Sequence, residues 1–247
     1  MNDSTALVWL SSIPALSGKS LGKLLEAFPE PGVLWDEPDL AMRVLGTKSM
    51  EALREAKSED YLDALLCALE EKDVRVLTLF DDDYPDRLRA IDDAPPLLYL
   101  RGCLPEKTRA AAIVGARKCT ADGRVTAQRM ACDLAASGVA VVSGMADGID
   151  SAAHLGCLEA GGQTVAVLGC AIDSCYPPEN RSLLERILDE GGCVLSEHAP
   201  GAHTRAYHFA QRNRIISGLA QAVIVVEAGE KSGALITAQY ALAQHRE

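Results

Sequence analysis

Ala111-Ala112-Ile113-Val114-Gly115-Ala116-Arg117 is a short, unbroken apolar run that ends on a glycine and an arginine. The run is too short for a helix and lacks the alternation of a strand with one wet face. It reads as a parallel strand buried on both faces. Downstream the same grammar repeats. A helix pattern over Gly123–Ala136 is followed by strand Val139–Val142, Ser143-Gly144 and a helix over Ile149–Ala160. Strand Thr164–Leu168 leads through a Gly/Cys/Pro loop to a helix over Glu179–Glu190, then strand Val194-Leu195-Ser196. A helix near Gln211–Leu219, strand Ala222–Val226 and a helix over Ala234–His245 complete the series. Strand–helix alternation of this kind predicts a doubly wound, mostly parallel sheet, an α/β fold of extended Rossmann-like type. The chain ends at Glu247, where the alternation leads one to expect another strand, so it is read as stopping short at its C-terminus.

Working back from Ala111, Val74–Leu79 alternates as a strand does, and Leu97–Leu100 is a second short strand after Pro95-Pro96. Residues 1–73 are of another kind. Ala6–Leu10, Ser20–Ala27, Leu34–Leu45 and Ser49–Glu71 carry apolar residues at helical spacing, broken by Pro14, Gly18, Pro29, Pro31 and Gly46. Ser58 is placed to cap a helix running through Leu65 and Leu69. The expected organisation is therefore a small helical domain, 1–73, and an α/β domain, 74–247.

Of the 247 residues 48% are hydrophobic and 24% charged, an ordinary globular balance. No apolar run reaches the roughly 18 residues that span a bilayer. The N-terminus lacks the pattern of a secretory signal. Eight scattered cysteines without a C-x-x-C pair read as reduced thiols, so a cytoplasmic location is expected. The net charge of −11 argues at first against a nucleic-acid partner. However, residues 1–105 carry 11 Lys and Arg against 20 Asp and Glu, while residues 106–247 carry 13 against 15. The acidity lies mostly in the first part, and net charge does not decide what a local pocket binds.

In open parallel sheets ligands sit at the carboxyl ends of the strands, and four stretches there are informative. Gly115-Ala116-Arg117 combines close backbone approach with a forked donor for phosphate oxygens. Ser143-Gly144-Met145-Ala146-Asp147-Gly148 opens a helix and offers N–H groups to an anion, with Asp147 and Asp150 expected to cap from outside. Arg212-Asn213-Arg214, preceded by Phe209, is expected near a helix start, with both arginines flanking a ligand. Ser232-Gly233 begins a helix after the last strand, and Thr237 follows one turn later. Each alone suits a plain turn or a solvated arginine; four on one sheet edge predict a phosphate-binding pocket.

Other chemistries fit poorly. Gly18-Lys19-Ser20 imitates the end of a P-loop, but Ile13 stands where its first glycine belongs. A dinucleotide fingerprint and a G-x-S-x-G elbow are both missing. His198, His203 and His208 lie five apart, which is no standard metal spacing. No catalytic residue, metal or cofactor is therefore expected.

The motifs in this order resemble the DNA-processing protein A family (DprA, also called Smf). The resemblance rests on Gly115-Ala116-Arg117, Ser143-Gly144-x-Ala146-x-Gly148-Ile149-Asp150, Ala153-His154, Tyr176-Pro177 and Ser196-Glu197. Phe209-x-x-Arg212-Asn213-Arg214-Ile215-Ile216-x-Gly218-Leu219 and Ser232-Gly233-Ala234-Leu235-Ile236-Thr237 extend it. It covers about residues 75–247, while the N-terminal helices match more loosely a sterile-alpha-motif-like or helix-hairpin-helix region. Where the family often has Ser or Thr, arginine and proline, this chain has Ala116, Asp147 and Ala210. The resemblance implies a non-enzymatic, homodimeric protein of natural transformation that binds and protects incoming single-stranded DNA and helps load the RecA recombinase. Arg117, Arg212 and Arg214 are then expected on backbone phosphates, with Arg181 as a further cation and Tyr176 or Tyr207 as stacking rings. Two alternatives stand beside this reading: a nucleotide N-glycosidic-bond hydrolase using Glu227, and a nucleotide-sensing module.

Overall fold

In the computed structural model, which describes residues 1–16, 19–105 and 109–247, the chain divides into two units, Met1–Tyr84 and Pro85–Glu247. Gly18 of the P-loop-like tripeptide lies outside the described residues, and Lys19 and Ser20 open α2. The first unit holds α1 (Asp3–Ser12), α2 (Lys19–Ala27), α3 (Val33–Asp36), α4 (Thr47–Glu55), α5 (Glu59–Glu71) and strand β1 (Arg75–Thr78). Trp9 of α1 is fully buried. Its indole N–H donates to the Ala56 carbonyl at 2.7 Å and its ring meets Trp35 edge-on at 4.9 Å, which satisfies the polar end of a buried aromatic. The apolar pattern over Ser49–Glu71 is thus two helices, parted at Ala56–Ser58, and Ser58 caps the second by accepting from the Tyr61 N–H. The Leu34–Leu45 pattern also divides, because Pro38 cannot continue the α3 ladder and starts a 3-10 stretch.

The second unit contains α6 (Asp86–Arg89), β2 (Leu97–Gly102), β3 (Ala110–Val114), α7 (Ala121–Ala136), β4 (Ala140–Ser143) and α8 (Ile149–Glu159). It continues with β5 (Thr164–Leu168), α9 (Arg181–Asp189), β6 (Cys193–Ser196), α10 (Ala206–Leu219), β7 (Ala222–Val225) and α11 (Gly233–Ala243). Its strands lie in the order β2-β6-β5-β4-β3-β7. All neighbours from β6 to β7 pair in parallel, with Ala112 opposite both Val142 and Val223. β2 pairs antiparallel with β6, Tyr99 facing Ser196. The sheet is therefore the mostly parallel, doubly wound one that the alternation predicts.

Two features of this winding position the site. From β3 to β6 the strands step outward in one direction; the chain then returns to lay β7 on the other side of β3. Such a reversal opens a crevice at the carboxyl ends of the two strands that flank it. The second feature is the seam between α7 and α8, built from Ala127, Ala131, Ala152, Ala153 and Gly156. A Cβ on Gly156 would lie 2.0 Å from the Gln128 carbonyl oxygen, so only glycine permits this approach. Close packing of small side chains holds α8 with its N-terminus at the sheet edge.

Candidate functional site

The crevice between β3 and β7 contains a cavity of about 250 Å³. The turn after β3 supplies Gly115 and Arg117, and the segment entering α8 supplies Ala146 and Asp150. α10 contributes Phe209, Arg212 and Asn213, and α11 adds Ser232, Gly233 and Thr237. All four stretches singled out in the sequence thus converge on one space. It is smaller than the roughly 300–1,000 Å³ of pockets for drug-sized ligands, so it suits one small group.

α10 begins at Ala206, ahead of the position the apolar pattern indicates, which places Arg212 in its second turn. At about 100° per residue, Arg212 and Arg214 project roughly 200° apart, and the structure separates them accordingly. Arg212 is 6% exposed. Its Nη1 donates to the Gly144 carbonyl at 2.6 Å and to the Val167 carbonyl, and its Nε donates to Asn213 Oδ1 at 3.2 Å. Asn213 Nδ2 donates in turn to the Gly233 carbonyl at 3.2 Å. One guanidinium therefore ties the ends of β4 and β5 to α10 and, through Asn213, to α11. Arg214 is not on the cavity wall; it pairs with Glu197 at 2.6 Å and Asp93 at 3.2 Å.

Asp150 differs from the expectation that it caps from outside. Its carboxylate turns inward and accepts from the Gly144 N–H at 3.2 Å and the Ala146 N–H at 3.4 Å. The N–H groups read as a cradle for a ligand anion are thus met by the protein's own anion. Burial pushes the Asp150 carboxyl up to about 6, against the opposing pull of Arg212 and these N–H groups. Burial likewise lowers the Arg212 guanidinium to about 10, with Asp150 opposing. A Cβ on Gly144 would sit 2.6 Å from Arg212 Nη2 and 2.8 Å from Asp150 Oδ2, so the two charges meet where only glycine leaves room. Below them His154 is fully buried, with Nδ1 2.7 Å from Thr164 Oγ1. That hydroxyl donates to the Val141 carbonyl, so Nδ1 carries the proton and Nε2 is bare. Burial, and then the Arg212 charge, lowers His154 to about 3 and keeps it neutral.

Several expected residues build the walls from behind. Ser143 is fully buried and donates to the Ile113 carbonyl at 2.6 Å. Met145 is buried in a left-handed conformation (φ +63) and its carbonyl accepts from Asn180 Nδ2 at 2.9 Å. Gly148 (φ +81) packs where a Cβ would lie 2.3 Å from the Ala116 carbonyl oxygen. Ala116 is held through its backbone, donating to the Glu227 carbonyl at 2.7 Å and accepting from Ile149 at 3.3 Å. Arg181 is exposed at the start of α9, away from the cavity wall. Asp147 is exposed. The Glu227 carboxylate accepts from the Thr120 N–H at 2.9 Å and from Thr120 Oγ1 at 2.8 Å, next to the α7 N-terminus.

Arg117 has a different character. It is exposed at the mouth of the cavity, with its guanidinium carbon 5.9 Å from the centre of the Phe209 ring. Among the described residues no hydrogen bond or ion pair occupies its side chain. The opposite wall is also open. Ser232 Oγ accepts from the Ala234 N–H at 3.3 Å, and a Cβ on Gly229 or Gly233 would meet nothing within 4 Å.

A mostly parallel sheet with a small cavity at its reversal point and an arginine at the mouth defines a Rossmann-like domain with a candidate ligand pocket. The chain belongs to the DNA recombination-mediator protein A family, whose model matches residues 75–247. It is 45% identical over 177 residues to protein Smf of Synechocystis, covering 70% of this chain and 44% of that protein. It is 42% identical over 171 residues to DprA of Streptococcus pneumoniae, covering 69% and 60%. The chain therefore spans about half the length of these relatives. A crystal structure of Streptococcus pneumoniae DprA superposes with a TM-score of 0.79 at 32% identity, covering 100% of this chain and 86% of that one. A Helicobacter pylori DprA structure, described for its single-stranded DNA binding mode, gives 0.63 at 28% identity over 70% and 78%. Among the described residues no helix is long and apolar enough to cross a membrane.

Proposed function

We propose that this chain is a non-enzymatic, sequence-tolerant single-stranded DNA-binding protein of natural transformation. In this reading it works in the cytoplasm as a homodimer, protects incoming DNA and helps load RecA. The observation that carries the reading is Arg117, an exposed and uncommitted cation beside Phe209 at the mouth of a cavity too small for a base pair. Arg117 takes the phosphate, and the open α11 wall at Ser232 and Gly233 receives the adjoining part of the nucleotide. Arg212 serves from behind by fixing the wall, since its donors are already engaged by carbonyl groups and Asn213. Phosphate contacts do not read sequence, and they release counterions, so binding is tolerant of sequence and weakens as salt rises. The relation to a protein whose structure concerns single-stranded DNA binding supports the same reading.

The hydrolase alternative loses its main candidate, because the Glu227 carboxylate is engaged by Thr120 and does not line the cavity. Gel shifts with a short single strand and its duplex over a salt series test the proposal. The single strand is expected to bind more tightly, with affinity falling as salt increases. Equal or tighter binding of the duplex overturns it, as does release of free base from nucleoside monophosphates that is abolished by Glu227→Gln.

A further inference from the structure

The two tyrosines that could stack on bases have different surroundings. Tyr207 leans edge-on against His208 at 4.6 Å, and His208 stacks on His198 at 4.0 Å. None of these three rings lines the cavity. Tyr176, in the loop between β5 and α9, lies 5.0 Å from Phe209 with the rings tilted by 48°. Phe209 lines the cavity and has the Arg117 guanidinium beside it. Tyr176 is nevertheless 48% exposed, in a chain with only 4% aromatic residues. Arg181 is exposed five residues on in the chain, and its charge bears on the thiol of Cys175, the residue before Tyr176. Arg117, Phe209 and Tyr176 thus adjoin one another at the cavity mouth, and Arg181 stands at the end of the loop that carries Tyr176.

We infer that Tyr176 is a base-stacking residue, over which a single strand leaving the cavity passes from Arg117 and Phe209, with Arg181 at the end of the same loop as a further cation for it. The inference rests on the proposed single-stranded DNA reading and extends the site beyond the cavity. The ligand is an unpaired nucleobase of any identity, because every base offers a π face, while an adjoining phosphate meets Arg117. In a duplex those faces are covered by neighbouring base pairs, so an exposed ring here also favours single strands.

The test compares an oligo-dT strand with an abasic deoxyribose-phosphate strand of equal length, both fluorescently labelled, on the full chain. Tyr176→Ala is expected to weaken oligo-dT binding roughly five- to a hundredfold, the range of one base–aromatic stack. Binding of the abasic strand is expected to be unchanged, Tyr176→Phe to behave as the parent chain, and Tyr207→Ala to have no effect. Unaltered oligo-dT binding by Tyr176→Ala, or equal loss on both strands, overturns the inference. If the parent chain binds neither strand, the single-stranded DNA reading falls as well. If Arg117→Ala weakens both strands and Tyr176→Ala neither, the inference alone falls. A readout independent of the variant's folding is photocrosslinking of the parent chain to a 5-iododeoxyuridine strand. Adducts at Tyr176 are expected, and adducts at Tyr207 with none at Tyr176 contradict the inference.

Discussion

The turn entering α8 and the turn entering α11 look alike in sequence. Each follows a parallel strand, contains glycine and opens a helix onto the same cavity. They differ in what occupies them. At α8 the N–H groups of Gly144 and Ala146 are met by Asp150, and the Gly144 carbonyl by Arg212. At α11 a side chain added to Gly229 or Gly233 would meet open space. A glycine before a helix thus serves two ends: close approach of the protein's own charges in one case, open space beside the cavity in the other. A helix N-terminus favours an anion, and an acid within its own first turn can be that anion.

Breaking the filled turn should have the largest effect. Arg212→Ala leaves Asp150 buried without its counter-charge, so a loss of about 3–5 kcal/mol is expected in denaturant unfolding. Adding Asp150→Asn to that variant should recover part of the loss, because the two residues couple. Gly144→Ala comes next, at about 1–3 kcal/mol from overpacking. Gly233→Ala should leave stability within about 1 kcal/mol of the parent while altering DNA affinity. A similar stability loss in both glycine variants would erase the distinction between the turns.

The pH dependence sharpens the same contrast. Asp150 titrates higher in the folded chain, at about 6, than its ordinary value of 3.8. The folded state therefore binds the proton more tightly, and this contribution to stability is present below about pH 4 and lost as pH rises through about 6. The slope is at most about 1.4 kcal/mol per pH unit for one proton. Asp150→Asn should remove that part of a stability–pH profile, and an unchanged slope would contradict the burial of an ionisable carboxyl. A smaller effect than that of Arg212→Ala is expected for Arg214→Ala. Its pair with the exposed Asp93 is worth little, but its removal leaves the largely buried Glu197 without a partner, so a loss of about 1–3 kcal/mol is expected in thermal unfolding, with little change in DNA affinity.

The strands and their glycine-ended turns were legible because buried parallel strands leave short apolar runs, and Ala111–Val114 is one. The direction of β2 was not, since an apolar run such as Leu97–Leu100 carries no sign of its partner's sense. The start of α10 was hidden because its cap is Arg205 rather than Ser, Thr, Asp or Asn. At the site, the residue types were readable but not their division of labour. Arg212 meets Asp150 from a helix 62 residues away, a relation that no local spacing encodes. Arg214 carries the same charge two positions on and faces Glu197 instead. The inward turn of Asp150 had one available signal: an acid at the second helical position after a glycine turn lies within reach of that turn's N–H groups.

The central claim is that Arg117, not its buried or ion-paired counterparts, supplies the phosphate contact. The most direct test is fluorescence anisotropy with a short single strand over a salt series, comparing the parent chain, Arg117→Ala and Arg214→Ala. The account predicts weaker binding for Arg117→Ala and a log–log salt slope shallower by about 0.7, the value of one lost phosphate contact on a single strand. Arg214→Ala should keep the parent slope. An unchanged slope for Arg117→Ala, or a shallower one for Arg214→Ala alone, would contradict the account.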